Sequence, residues 1–161
     1  MNPVHLSVLR KICERLNGAG INWAVTGSLG FALQGVPVEV HDIDVQTDEK
    51  GVYEIEWLFS EYVARPVALS STEAMRSHFG ALAIDGLKVE IMGDIQKRLS
   101  DGAWEVPVDL NCHKRFVEIE GMRIHVLSLV YEYQAYLKLG RTERAEMLKN
   151  WLLDMPAYVR D

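Results

Sequence analysis

The feature that most constrains this chain is a Gly27-Ser28 pair followed, fourteen residues after the serine, by Asp42-Ile43-Asp44. An apolar run, Trp23-Ala24-Val25-Thr26, enters the small-residue turn. A short helix over 29–34 follows, ended by Gly35 and Pro37, and a second apolar run over 41–46 carries the two acids. Side chains at i and i+2 of a strand share a face. Asp42 and Asp44 are therefore predicted side by side, with Ile43 and Val45 turned into the core behind them.

Two neighbouring carboxylates repel unless positive charge lies between them. Mg2+ suits such a pair, because it takes oxygen ligands and bridges to substrate phosphates. The same triplet also occurs at solvated strand ends. Glycine at 27 allows a tight turn and close approach of a ligand to the backbone. Ser28 is placed to cap a helix beginning at Leu29, and amides at a helix start favour an anion such as phosphate. An ordinary strand-turn-helix cap has the same signature.

A third acid, Glu90, lies within Lys88-Val89-Glu90-Ile91-Met92. On a strand beside the acid pair it would lie about 5 Å away laterally, and three acids can hold two metal ions. Alternation equally allows Val89 and Ile91 inside with Lys88 and Glu90 in solvent. Asp94 is expected to cap a helix over 95–99. Lys138 and Arg141, at a helix junction, are candidates to neutralise phosphate charge, or else pair with Glu143 or Glu146. His41, His78 with Ser77, and Arg65 are weaker candidates for the pocket.

The chain has 161 residues, 48% of them apolar, which suits one domain. Net charge is −6, which argues against nucleic acid as a partner. The two cysteines, Cys13 and Cys112, form no ligand motif, and we read both as free thiols in a reducing cytoplasm. No signal peptide and no run of roughly 18 apolar residues is seen, so no membrane partner is expected.

Helical spacing is read over 4–17, through Leu6, Leu9, Ile12, Cys13 and Leu16. It recurs over 50–62 with Val52, Ile55, Leu58, Phe59 and Tyr62 inward. An irregular strand is read over 62–69. Asp85-Gly86 marks a hairpin over 78–92, and 117–126 is a second hairpin. Helices over 128–139 and 141–153 follow, with core stripes Val130/Tyr133/Leu137 and Ala145/Leu148/Leu152. Trp23, Trp57, Trp104 and Trp151 are read as packing residues. The expected fold is α+β: a mixed sheet flanked by helices, with a catalytic core over 1–126 and a helical pair in an extension over 127–161.

The order Gly-Ser, short helix, apolar-Asp-apolar-Asp-apolar, then a later strand acid resembles the DNA polymerase β-like nucleotidyltransferase superfamily. The matching positions are Gly27, Ser28, Asp42, Asp44 and Glu90. The stretch Ala32-Leu33-Gln34-Gly35-Val36-Pro37 is similar to the stand-alone bacterial and archaeal branch, with its lincosamide and aminoglycoside nucleotidyltransferases. Leu137-Lys138-Leu139-Gly140-Arg141 is similar to the helical region that closes such proteins. Antibiotic-modifying members place an arginine just ahead of the acid pair, where this chain has Val38-Glu39-Val40-His41.

The resemblance implies transfer of a nucleoside monophosphate from an NTP to a hydroxyl of a small molecule or protein, with release of pyrophosphate. Gly27 and Ser28 would hold the β- and γ-phosphates, with Lys138 and Arg141 as nucleotide-binding cations. Asp42 and Asp44 would bind two Mg2+ ions, with Mn2+ as the alternative. Glu90 would complete the metal site or act as base. A homodimer would supply part of the acceptor site. The alternative is a non-catalytic nucleotide-binding regulator or a toxin–antitoxin component of the same fold.

Overall fold

A computed structural model describes residues 1–156 of the protein. Helix α1 (Pro3–Ala19) starts at Asn2, whose side chain accepts from the Val4 and His5 amides, and ends at Gly20 with φ 68°. Strand β1 (Trp23–Thr26) runs directly into α2 (Gly27–Leu33), then β2 (Ile43–Thr47) and α3 (Glu49–Leu58). Strands β3 (Val63–Ser71), β4 (Met75–Ile84) and β5 (Leu87–Lys97) form a meander. Strands β6 (Lys114–Ile119) and β7 (Met122–Leu127) lead to α4 (Leu129–Lys138) and α5 (Thr142–Asp154).

The seven strands form one mixed sheet in the order β3-β4-β5-β2-β1-β7-β6. The pairs β2/β5 and β1/β7 are parallel and the rest antiparallel. The fold is the expected α+β arrangement, a mixed sheet flanked by helices and closed by two C-terminal helices.

Alternation divides the sheet into two faces. Trp23, Val25, Ile43, Val45, Val89 and Ile91 pack with Leu9, Ile12 and Leu16 of α1 and with Val52 and Ile55 of α3. On the other face Ala24 meets Leu110 and Leu127, with Tyr131 of α4 partly buried against them. Phe31 and Val36 join Leu129 and Leu148, which fastens both C-terminal helices to the segment around α2.

Several expected elements shift. The Asp85-Gly86 hairpin is present, with φ 52° and 78° at its two turn residues, but its strands are longer than expected. No helix forms over 95–99, because β5 continues to Lys97. Asp94, at φ 50°, instead accepts from the Glu49 amide at 3.1 Å, so it caps the start of α3. Helix α3 stops at Leu58 and a 3-10 turn carries the chain through Tyr62. The buried stripe of α4 is Leu129 and Glu132, with Leu137 half exposed. Trp57 is 76% exposed and packs in no core. Among the described residues no helix is long and apolar enough to cross a membrane.

Candidate active site

Helix α2 begins at Gly27, not Leu29, and Thr26 occupies the cap position. Ser28 is therefore a buried residue of the first turn and caps nothing. Gly27 has φ 67°, and a Cβ there would sit 2.5 Å from Oδ2 of Asp44. Only glycine meets both conditions.

Asp42 lies just before β2 and Asp44 within it. Parallel pairing sets Asp44 opposite Glu90 of β5, while Ile43 and Val45 enter the core beside Val89 and Ile91. The three expected acids thus meet on one face. Lys88 joins them, with Nζ 2.7 Å from Oε1 of Glu90 and 3.3 Å from Oδ2 of Asp42. Those carboxylates hold the lysine above its ordinary pKa. Among the described residues Asp44 forms no ion pair, and the charges of Lys88 and Arg144 only partly offset its burial. Burial first, then the charges of Glu90 and Asp42, push its carboxyl up to about 6. Among the described residues no three His, Cys, Asp or Glu side chains stand as a ready-made metal cluster. The Lys88 ammonium is the counter-charge for two of the acids.

A cleft opens beside Asp44, lined by Thr26, Gly27, Lys97, Tyr131, Tyr136 and Arg141 among others. Arg141 lies beside the Tyr136 ring, 5.9 Å from its centroid. Lys138 points elsewhere, into the neighbouring cavity, where Nζ is 3.4 Å from Oε2 of Glu105. His41 is exposed and pairs with Glu39, its carbonyl accepting from His5. His78 meets Tyr53, and Arg65 lies over Phe79. Trp104 takes Arg76 and Arg98 against its ring.

The sequence reading missed Glu132. This α4 carboxylate is 4% exposed, accepts from the Thr26 hydroxyl, and is pushed up to about 7 by burial, against which Thr26 and the Gly27 amide act. Its signal was available: Leu129, Glu132 and Tyr136 share a helical face at spacings i, i+3 and i+7, with an acid in the middle. Lys97 was missed too. Only 4% exposed, it holds Glu105 and the Tyr131 hydroxyl, each at 3.3 Å.

A sequence model of the aminoglycoside-2''-adenylyltransferase family matches residues 8–150. The chain belongs to that family. It is 68% identical to TM1012 of Thermotoga maritima, a protein assigned as a nucleotidyltransferase, over 96% of both chains with a TM-score of 0.85. Two more distant structures share the fold. ANT(2'')-Ia in complex with adenylyl-2''-tobramycin is 13% identical over 92% of this chain and 90% of its own, with a TM-score of 0.59. The lincosamide antibiotic adenylyltransferase LnuA, bound to lincomycin, is 14% identical over 88% and 94%, with a TM-score of 0.53. No curated protein matches the chain. By family, this is a nucleotidyltransferase.

Proposed function

We propose that the enzyme transfers a nucleoside monophosphate from an NTP to a hydroxyl of a small molecule or protein, releasing pyrophosphate. The observation that carries this reading is the meeting of Asp42, Asp44 and Glu90 beside the Gly27 turn. The three carboxylates offer only oxygen donors, the kind a hard divalent ion takes. Asp42, Asp44 and Glu90 would hold two Mg2+ ions, or Mn2+. When bound, these supply charge neutralisation along the triphosphate.

The remaining work falls to the chain itself, and it is mostly positioning and electrostatics. Gly27 and Ser28 receive the β- and γ-phosphates. The acceptor oxygen bonds to the α-phosphorus as the bond to the β-phosphate oxygen breaks. Glu90 either completes the metal-holding set or takes the hydroxyl proton. Arg141 lines the cleft and offsets phosphate charge. Lys138 joins it by exchanging its ion pair with Glu105.

ANT(2'')-Ia is bound to an adenylylated tobramycin, and we carry over from it only the acceptor class, a small hydroxylated molecule. The cleft's tyrosines and its mainly apolar floor of Met75, Met92 and Ile95 support that class over nucleic acid. We also propose a catalytic core over 1–126 with a helical extension over 127–161, a cytoplasmic location, and a homodimer that completes the acceptor site. Residues 157–161 of that extension lie outside the described residues.

The test is calorimetric titration of each of the four NTPs with Mg2+ into wild type and into the Asp42→Ala, Asp44→Ala double variant. Metal-dependent binding that vanishes in the variant supports the reading. Absence of binding by wild type with any metal sinks it.

A further inference from the structure

A buried carboxylate is expensive unless it is fully hydrogen-bonded, and an apolar side chain of similar volume at the same place is usually as stable or more so. Packing alone therefore does not account for a glutamate at position 132. It comes from α4, yet its hydrogen-bond partner, the Thr26 hydroxyl, lies at the junction of β1 and α2, and the Gly27 amide there acts to lower its pKa. The Thr26 oxygen in turn accepts from Nε2 of Gln46, at 3.4 Å, on the strand that carries Asp44. Lys97 of β5 contributes positive charge nearby, and Asp44 negative charge. The carboxylate thus ties α4 to the glycine turn and, through Thr26, to the acid strand.

We propose that Glu132 is a positioning residue for the donor nucleotide. Resting on the transferase reading above, it fixes the orientation of the Thr26-Gly27 turn. The Gly27 backbone, which lines the cleft, is thereby presented to the triphosphate. Affinity for the donor is then set in part from the C-terminal helix rather than by the core alone. Catalysis by the three acids does not pass through Glu132.

The experiment compares Glu132→Leu, Glu132→Gln and Thr26→Val with wild type. Melting temperature is measured, together with the Kd for each NTP in the presence of Mg2+. Glu132→Leu should melt at or above the wild-type temperature and yet bind the donor about tenfold to a hundredfold more weakly, the worth of hydrogen bonds to a charged group. Glu132→Gln, which keeps an acceptor oxygen, should recover most of the affinity. Thr26→Val removes one of the bonds from its other end and should weaken binding in the same direction, so a poorly folding Glu132→Leu leaves the test standing. In turnover, the donor KM should rise while the acceptor KM stays put. Wild-type donor affinity in folded Glu132→Leu or in Thr26→Val overturns the positioning role alone. Failure of wild type to bind any NTP overturns the transferase reading, and this role with it.

Discussion

Asp44 and Glu90 face each other across parallel strands, as register partners of β2 and β5. Each charge disfavours the other, and Glu90 is the largest charged contributor to the raised carboxyl of Asp44. Neither acid serves the core, which is filled by their neighbours Val45, Val89 and Ile91. Asp44→Asn and Glu90→Gln should each lower nucleotidyl transfer about a thousandfold or more, comparable to removing a major charge-stabilising group. Neither should lower the melting temperature of the metal-free protein. Pyrophosphate release and thermal melts on the same samples check this, and a parallel loss of folding would refute it.

Lys88 occupies the place between Asp42 and Glu90 that a metal ion would contest. Its side chain is half exposed, so each pair is weak and easily broken. Lys88→Met should tighten Mn2+ binding about threefold to tenfold, the worth of one or two exposed ion pairs. Electron paramagnetic resonance of free Mn2+ measures this directly. Looser binding would mean that Lys88 supports the site instead of competing for it.

The pH dependence has a definite sign. Asp44 titrates at about 6 in the folded chain against an ordinary 3.8, and Glu132 at about 7 against 4.5. Through that window these two carboxyls bind more protons in the native state than in the unfolded one, so their contribution to stability falls as pH rises. His113 and His125, whose pKa values burial lowers, act in the opposite sense, so the carboxyl effect is read from the difference between wild type and variant in the metal-free protein. Asp44→Asn should remove the part lost through pH 6, at most about 3 kcal/mol, and move the Glu132 part to lower pH, because the Asp44 charge helps to raise that carboxyl. Added Mg2+ should offset the Asp44 part, because it stabilises the ionised carboxylate. The same pH dependence of melting in metal-free wild type and Asp44→Asn would contradict the assignment of Asp44.

Local signals in the sequence carried much of this. Asp85-Gly86 announced its hairpin because both turn residues need positive φ. Asp42-Ile43-Asp44 announced its strand because every second residue must enter the core. Glu90 could not be decided locally, since Val89 and Ile91 alternate inward whether Glu90 meets water or other acids. Only the parallel pairing of β5 with β2 resolves it. Asp94 was read as a cap, but for a helix that does not form; its partner at Glu49 is forty-five positions away. The α4 stripe departs from its apolar pattern for a related reason. Tyr133 and Leu137 are the more apolar choice, whereas the face turned to the sheet carries a glutamate that needs Thr26 and Gly27.

Gly27 offers the sharpest local test. Its φ of 67° disfavours any L side chain, and a Cβ would stand 2.5 Å from the Asp44 carboxylate. Gly18, near the end of α1, is a fitting control, because a Cβ there meets nothing within 4 Å. Gly18→Ala should stabilise the protein by about 0.5–1 kcal/mol through better helix propensity. Gly27→Ala should cost about 1–2 kcal/mol from the left-handed backbone alone, and more as Asp44 is pushed aside. Denaturant melts measure both variants, and Mg2+-dependent NTP binding should be lost only in Gly27→Ala. If Gly27→Ala folds with wild-type stability and binds the donor normally, the turn does not have the conformation described, and Asp44 does not lie against it.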